Sequence, residues 1–376
     1  MSGINLKVLS ALVAVVVGLL VSSPASAAWT VETVVSAGDV GSAVSMDLDS
    51  SGNPHIVYRD RTAPSQIKYI VKSGAAWGTP ETVVTSGYYN TDLVLDSSSS
   101  PHVSYTSVNP YYPSYAYKAG GVWQTKQVDW GGRDTSIALG QDGLARISYG
   151  FPTLNYATWN GTSFANESVD TASSVGHNNS LAIDSQGRPH IAYRDDTLLA
   201  LRYSHWTGTA WSTGIVDWVG DVGRFASLAL SASDLPRIAY YDNDNGYLKY
   251  AYNDGTTWYN ETVDGGPGYD SVGKYASLAI DSAGRPHIAY YNESMGTLKY
   301  ARWDGSQWLT ETIVDPDGSY DYGVGCSLHL DALDVPHIAY YDKDNGDLKY
   351  AELPEPATLA LVALGGLATL LLRRRK

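Results

Sequence analysis

The chain repeats one sentence seven times, and the last copy is divided between its two ends. The clearest copy runs from Ser277 to Tyr290 (SLAIDSAGRPHIAY), continues from Leu298 to Ala301 (LKYA) and closes from Trp308 to Asp315 (WLTETIVD). Equivalent openings stand at Ser45, Asp92, Ser136, Ser180, Ser227, Ser277 and Ser327, spaced by 47, 44, 44, 47, 50 and 50 residues. Each copy holds four short segments rich in Val, Ile, Tyr, Thr and Trp, bounded by Gly, Asp, Asn or Pro. Such segments read as strands. A period of 40 to 50 residues built from four strands is the signature of propeller blades. No segment between the two ends carries a helical period. The chain is therefore expected to be all-β, a seven-bladed propeller of four-stranded blades.

Within a blade we name the strands A to D. Strand A is the Ser-Leu-Ala-Ile type segment. An Asp-Ser-x-Gly turn leads to strand B, Pro-His-Ile-Ala-Tyr, where Pro occupies a first position that needs no donor. Strand C is Leu-Lys-Tyr-Ala, and strand D opens on an aromatic residue: Trp29, Trp77, Trp123, Phe164, Trp211, Trp258 or Trp308. The first strand D, Trp29 to Val35, precedes any strand A, and the last repeat stops at Ala351 after strand C. Pairing these two halves removes two open sheet edges and ties the ends into a ring. An open solenoid would leave both unpaired.

The ends are of another kind. Lys7, the apolar run Val8–Val21 and the small-x-small site Ala25-Ser26-Ala27 make residues 1–27 a secretory signal peptide. Residues 28–352 are the propeller. At 353–376, Pro354-Glu355-Pro356 precedes an apolar run, Ala357–Leu372, and the cluster Arg373-Arg374-Arg375-Lys376. As a helix that run spans about 24 Å, short of the roughly 30 Å hydrocarbon core, and snorkelling cations close the gap. This tripartite end resembles the PEP-CTERM sorting signal of Gram-negative bacteria. The resemblance implies an exosortase-type processing enzyme as partner and possible removal of the tail. It places the domain at the cell envelope or in the exopolysaccharide matrix, touching the membrane only through the C-terminal transmembrane helix. An ordinary C-terminal anchor is the plainer alternative, and it too exports the domain.

Outside these end segments 20 basic residues face 38 acidic ones, a net charge of −18. That excludes nucleic acid as a natural partner. The one cysteine, Cys326, takes the slot of Ala226 and Ala276 and reads as a small core residue.

The turns Asp304-Gly305-Ser306-Gln307-Trp308 and Asn253-Asp254-Gly255-Thr256-Thr257-Trp258 resemble a degenerate Asp-box. On them the repeat resembles, loosely, sialidase-superfamily and lectin-type propellers. The resemblance implies that ligands meet the face formed by the D–A and B–C connections. At one offset before the strand A openings stand Ser42, Tyr89, Arg133, His177, Arg224, Lys274 and Val324. Arg133, His177, Arg224 and Lys274 there form a candidate cationic mouth for a carboxylate or sulfate. Pairing with local acids such as Asp134 and Asp221 is the structural alternative. The B–C connections add Arg194-Asp195-Asp196 and the pairs Tyr241-Asp242, Tyr291-Asn292 and Tyr341-Asp342. Tyr241, Tyr291 and Tyr341 are candidate loop-tip platforms for a sugar ring. Asp242 and Asp342 open Asp-x-Asp-x-Gly segments that resemble fragments of a calcium loop, though a polar hairpin turn serves as well. No other cofactor is indicated. Five histidines, His55, His102, His190, His287 and His337, share one strand B slot with Arg146 and Arg237. Spread over separate blades they cannot converge on one metal, so the slot reads as structural.

No nucleophile elbow, Cys–His pair or phosphate loop is present. The reading is an exported, non-enzymatic binding propeller for an extracellular polysaccharide or an envelope partner. Two rivals stay open: a sialidase-like glycoside hydrolase or polysaccharide lyase, and a structural scaffold without a small ligand.

Overall fold

The computed structural model describes residues 28–354, except 86–87, 109, 266–270, 315–317 and 319–320. Every regular element among these residues is a β-strand, and the strands fall into seven antiparallel sheets. Val31–Glu352 is one compact unit. Blade 4 is representative: strand A is Val175–Ile183, B Pro189–Asp195, C Ala200–Trp206 and D Trp211–Asp217. The signal peptide and most of the sorting segment, including Glu355, Pro356, Arg373, Arg374, Arg375 and the apolar run, lie outside the described residues. Among the described residues no helix is long and apolar enough to cross a membrane.

The ring closes as the split repeat requires. Blade 7 contributes strands Tyr322–Leu330, Pro336–Asp342 and Asp347–Glu352, and its fourth strand is Thr30–Val35 from the other end of the chain. Val34 and Val35 pack against the core shared by blades 7 and 1. Blade 1 departs from the pattern. Its strand D is broken into Ala76–Trp77 and Glu81–Val84. The break falls at Gly78-Thr79-Pro80, where Pro80 has no N–H to give to the ladder.

Three repeated contacts hold neighbouring blades together. The first lies along the channel. The Ser that opens each repeat accepts the N–H of the next blade's strand A: Ser45 from Leu93, Ser136 from Leu181, Ser180 from Leu228, Ser227 from Leu278 and Ser277 from Leu328, at 2.9 to 3.1 Å. Ser327 accepts from Met46, and at the remaining junction Asp92 Oδ2 accepts from Ile137. The second is aromatic. The strand C Tyr of one blade meets the strand D aromatic of the next edge-to-face, as in Tyr203–Trp258 and Tyr250–Trp308 at 5.2 and 5.3 Å. Such a pair adds about 0.5–1.5 kcal/mol beyond its buried area. The third is ionic. Tyr240 donates 2.6 Å to Asp217 of the preceding blade, whose carboxylate also takes Lys249. Tyr290, Asp264 and Lys299 repeat this arrangement.

The strand B histidines are structural. Each Nδ1 meets the hydroxyl of its own blade's strand C Tyr: His55 with Tyr69, His102 with Tyr115, His190 with Tyr203, His287 with Tyr300 and His337 with Tyr350. Each Nε2 turns to the Asp of the A–B turn, 3.3 Å away in His190–Asp184. Arg146 in the same slot reaches its own turn acid, Asp142, at 2.7 Å. Cys326 is buried and free, and burial pushes its thiol up to about 12.

Candidate functional site

The mouth of the channel is built by the first turns of strand A. That strand starts earlier than the repeat openings indicate, at Val40, Val175, Val222, Val272 and Tyr322. The residues expected just ahead of it lie inside it instead. Register shifts flank Ser42, His177, Arg224, Lys274 and Val324, as at Val222/Arg224 and Arg224/Ser227, and one follows Arg133, so the strand bulges there. A glycine precedes each bulged residue in these blades. At Gly223 (φ +89°) an added Cβ would lie 2.8 Å from the Leu201 backbone of the preceding blade. The following residue is left-handed: Asp134, Asn178, Phe225 and Tyr275 have φ of 54, 47, 54 and 55°. The bulge re-aims the side chain at the mouth of the channel.

Three of the four expected cations share one cleft of about 340 Å³. Its lining includes Arg133, His177, Arg224, Arg194, Asp196 and Tyr111. Arg133 Nη2 lies 3.0 Å from His177 Nε2. A guanidinium only donates, so Nε2 is the acceptor and the ring proton sits on Nδ1. Nδ1 in turn donates to Asp196. Phe151 stacks on the His177 ring at 4.7 Å, with Arg133 4.3 Å from its centroid. Arg194 is 2% exposed and links the site: Nε donates 2.6 Å to Asp196, Nη1 2.6 Å to Val222 O, and Nη2 lies 2.5 Å from Asp221. Burial alone would raise the Asp196 carboxyl, but hydrogen bonds from Arg194 and His177 outweigh it and hold the group below its ordinary value. Arg224 Nη2 donates 3.1 Å to Asp221, while its Nε is buried without a partner among the described residues.

The fourth cation is elsewhere. Lys274 is absent from the cleft and pairs with Glu293 at 2.5 Å. Tyr241, Tyr291 and Tyr341 are not loop-tip platforms. They are the next-to-last residues of strand B, are 3, 5 and 4% exposed, and bond through their hydroxyls to Ser271, Asp321 and Asp39. Asp242 is equally buried. It caps its hairpin by accepting Asn245 N and Nδ2, and Asp342 does the same for Asn345. Among the described residues no group of three or more His, Cys, Asp or Glu is placed to hold a metal ion. The aromatic rings that do reach the channel neck are Phe225 and Tyr275, 4.5 Å apart. They immediately follow Arg224 and Lys274, a position the sequence reading passed over along with Tyr111, Phe151 and Asn178.

Comparison with known proteins divides the chain. Residues 352–376 match the PEP-CTERM protein-sorting motif. The tail is a sorting signal. The motif marks the protein for export and for handling by an exosortase-type enzyme. No curated protein matches the chain. Among solved structures the propeller resembles a polysaccharide lyase of family PL25, an ulvan lyase bound to -[GlcA(1-4)Rha3S]-. Its TM-score is 0.59 at 13% identity over 87% of this chain and 94% of the other. It also resembles the Aleuria aurantia lectin, here in complex with a fucosylated sugar, at TM-score 0.51 and 15% identity over 74 and 98%. A Dyadobacter fermentans protein of unknown function aligns at TM-score 0.52 and 11% identity over 86 and 98%. These likenesses establish the propeller fold, shared by binding proteins and enzymes alike.

Proposed function

We propose that this exported propeller binds an anionic extracellular polysaccharide, whose carboxylate or sulfate group enters the mouth cleft. The observation that carries the reading is the convergence of Arg133, His177 and Arg224, from three consecutive blades, on one cleft in a domain of net charge −18. The unpartnered Arg224 Nε is a donor already stripped of water. Tyr111, 47% exposed, supplies an apolar face at the rim. The sugars held by the lyase and lectin neighbours support a saccharide ligand. The test is a glycan array carrying uronate, sulfated and neutral sugars, probed with the full-length chain in detergent. The parent is expected to select the charged sugars, and an Arg133→Ala, Arg224→Ala variant of unchanged melting temperature to lose them. Retention of every interaction by that variant would overturn the reading.

One observation favours a catalytic variant of the same site. His177 carries its lone pair on Nε2 and its proton on Nδ1, held by Asp196, beside two arginines. Once an anionic ligand draws Arg133 away, Nε2 is free to act as a base. On a uronate it would take the proton next to the carboxylate, and the C–H electrons would form a carbon–carbon double bond as the glycosidic oxygen leaves. Ultraviolet absorbance of unsaturated uronate in a polysaccharide screen decides between binding alone and lyase activity.

A further inference from the structure

A second, larger cleft lies at the opposite register, where blades 4 and 5 meet. In strand D, one position faces the strand C Tyr across the ladder. It is Glu81 opposite Tyr69, Glu167 opposite Tyr156, Glu261 opposite Tyr250 and Glu311 opposite Tyr300. Two of these acids accept the indole N–H of the next blade's strand D: Trp123 Nε1 donates 3.2 Å to Glu81, and Trp308 Nε1 3.0 Å to Glu261, whereas Trp211 Nε1, next to Glu167, is buried without an acceptor among the described residues. Blade 2 carries Lys126 at this position, and the next aromatic is Phe164, which has no N–H to satisfy. Blade 4 carries no side chain here at all. Gly214 stands opposite Tyr203, yet the next aromatic is Trp258, an indole.

The missing side chain leaves room. An added Cβ at Gly214 would meet nothing within 4 Å, and Gly214 and Trp258 line a cleft of about 470 Å³. Trp258 Nε1 makes no hydrogen bond to the described residues and, unlike the buried indole nitrogens of Trp77 and Trp211, opens to the solvent of the cleft. Arg188 and His205 also line the cleft. Arg188 gives its Nε to Asp184 at 2.5 Å. The cleft's own acid, Asp234, is occupied by Ser185 N and Oγ at 3.0 and 2.5 Å. Thr207, Ser212 and Thr213 add hydroxyls to the wall. The site thus keeps the indole donor with Arg188 and His205 beside it, but lacks the carboxylate that accepts the indole in blades 1 and 5.

We propose that a ligand carboxylate takes the place of the absent glutamate, and that the ligand is a uronic acid sugar. The carboxylate accepts the Trp258 N–H with Arg188 and His205 beside it. The hydroxyl-rich wall suits the ring hydroxyls of a sugar better than an acidic peptide side chain. The proposal stands apart from the mouth cleft, which shares none of these residues.

The test uses the full-length chain in detergent with Arg133→Ala and Arg224→Ala already in place, so that failure at the mouth and failure here are separable. Saturation-transfer NMR is run with glucuronate, glucose and N-acetylaspartate as probes. The mouth-depleted chain is expected to saturate glucuronate and neither of the others. Adding Gly214→Glu restores the internal acceptor and should weaken glucuronate by about tenfold or more, the loss of one charge-assisted bond. Gly214→Ala should leave it unchanged. Trp258→Phe, which copies the Phe164 of blade 3, removes the N–H while keeping the ring and should match Gly214→Glu. The proposal is overturned by no transfer to glucuronate, by equal transfer to glucose, by a preference for N-acetylaspartate, by loss with Gly214→Ala, or by retention in folded Gly214→Glu or Trp258→Phe.

Discussion

Ser327 Oγ accepts the backbone N–H of Met46 at 3.1 Å across 281 residues of sequence. This bond is the seventh link in the ring of strand A contacts, and it joins the last blade to the first. Its six counterparts bridge only 45 to 51 residues. At six junctions the acceptor is a serine hydroxyl of the preceding blade, and at the seventh it is the Asp92 carboxylate. Removal of the hydroxyl strands the donor at a cost of about 1–3 kcal/mol. Ser327→Ala and Ser227→Ala are therefore expected to destabilise the protein by similar amounts in urea titrations. A cost confined to Ser327→Ala would mean that only the closing junction depends on this contact.

The closing blade has a second, larger dependence. Its outer strand, Thr30–Val35, comes from the N-terminus, and Val34 and Val35 cover the core of the first blade junction. Deleting residues 28–36 exposes the edge of Asp347–Glu352 and uncovers those apolar side chains. The expected result is a sharp loss of melting temperature with concentration-dependent association, read by calorimetry and light scattering. An unchanged melting temperature would contradict the observed strand order.

Acid should loosen the blades through the strand B slot. Burial lowers His55, His102, His190, His287 and His337 below the ordinary value of 6.5, against the opposing pull of their turn acids. The unfolded chain therefore takes up protons first. Stability is fully present above about pH 6.5 and falls as pH drops toward the lowered folded values. The turn acids Asp49, Asp96, Asp184 and Asp281 are also held below 3.8 in the fold, so their contribution is lost at still lower pH. Melting temperature is expected to decline from pH 7 to pH 5, and His287→Gln to make that decline shallower. A flat profile over this window would remove the slot from the account.

The repeat made the ring legible, because period, turn residues and the split last copy all point to one closed topology. It made the chemistry of the mouth only half legible. Arg133, His177 and Arg224 sit at one repeated offset and meet in space. The tyrosines misled for a physical reason. Alternation along a strand separates buried from exposed side chains only when one face of the sheet meets water. A blade is covered on both faces by its neighbours, so Tyr240 and Tyr241, adjacent in sequence, are both buried. Phe151 and Tyr111 come from B–C connections that depart from the Asp-x-Asp-x-Gly hairpin of blades 5 and 7, so no period could reveal them. Gly214 was visible as a departure from the repeat, but its meaning depends on Trp258 lying across the junction.

Cys326 tests the packing of the channel neck. It occupies the position of Ala226 and Ala276, lines the neck with them, and is 8% exposed. Burial raises its thiol to about 12, so little thiolate exists at neutral pH. The native protein should react with a thiol reagent orders of magnitude more slowly than the unfolded chain. Cys326→Ala should shift stability by less than about 1.5 kcal/mol, since two neighbouring repeats already use that residue. Rapid labelling of the native state would mean that the neck opens.

Gly223 couples the fold to the mouth. Its φ of +89° is one that side chains rarely adopt, and a Cβ there would press within 2.8 Å of Leu201 Cα and 2.9 Å of Leu201 N. Those atoms belong to a strand C ladder and cannot yield cheaply. Gly223→Ala therefore adds backbone strain to a steric clash, and a loss of at least about 2 kcal/mol is expected. The same change should move the bulge that carries Arg224 into the cleft. A Gly223→Ala protein that still folds at low temperature should bind charged glycans more weakly than its reduced stability accounts for. A distal substitution of equal cost, Ser277→Ala at another junction, provides the comparison. If the two variants bind alike at a temperature where both are folded, the bulge does not set the position of Arg224, and the glycine serves the packing of blade on blade alone.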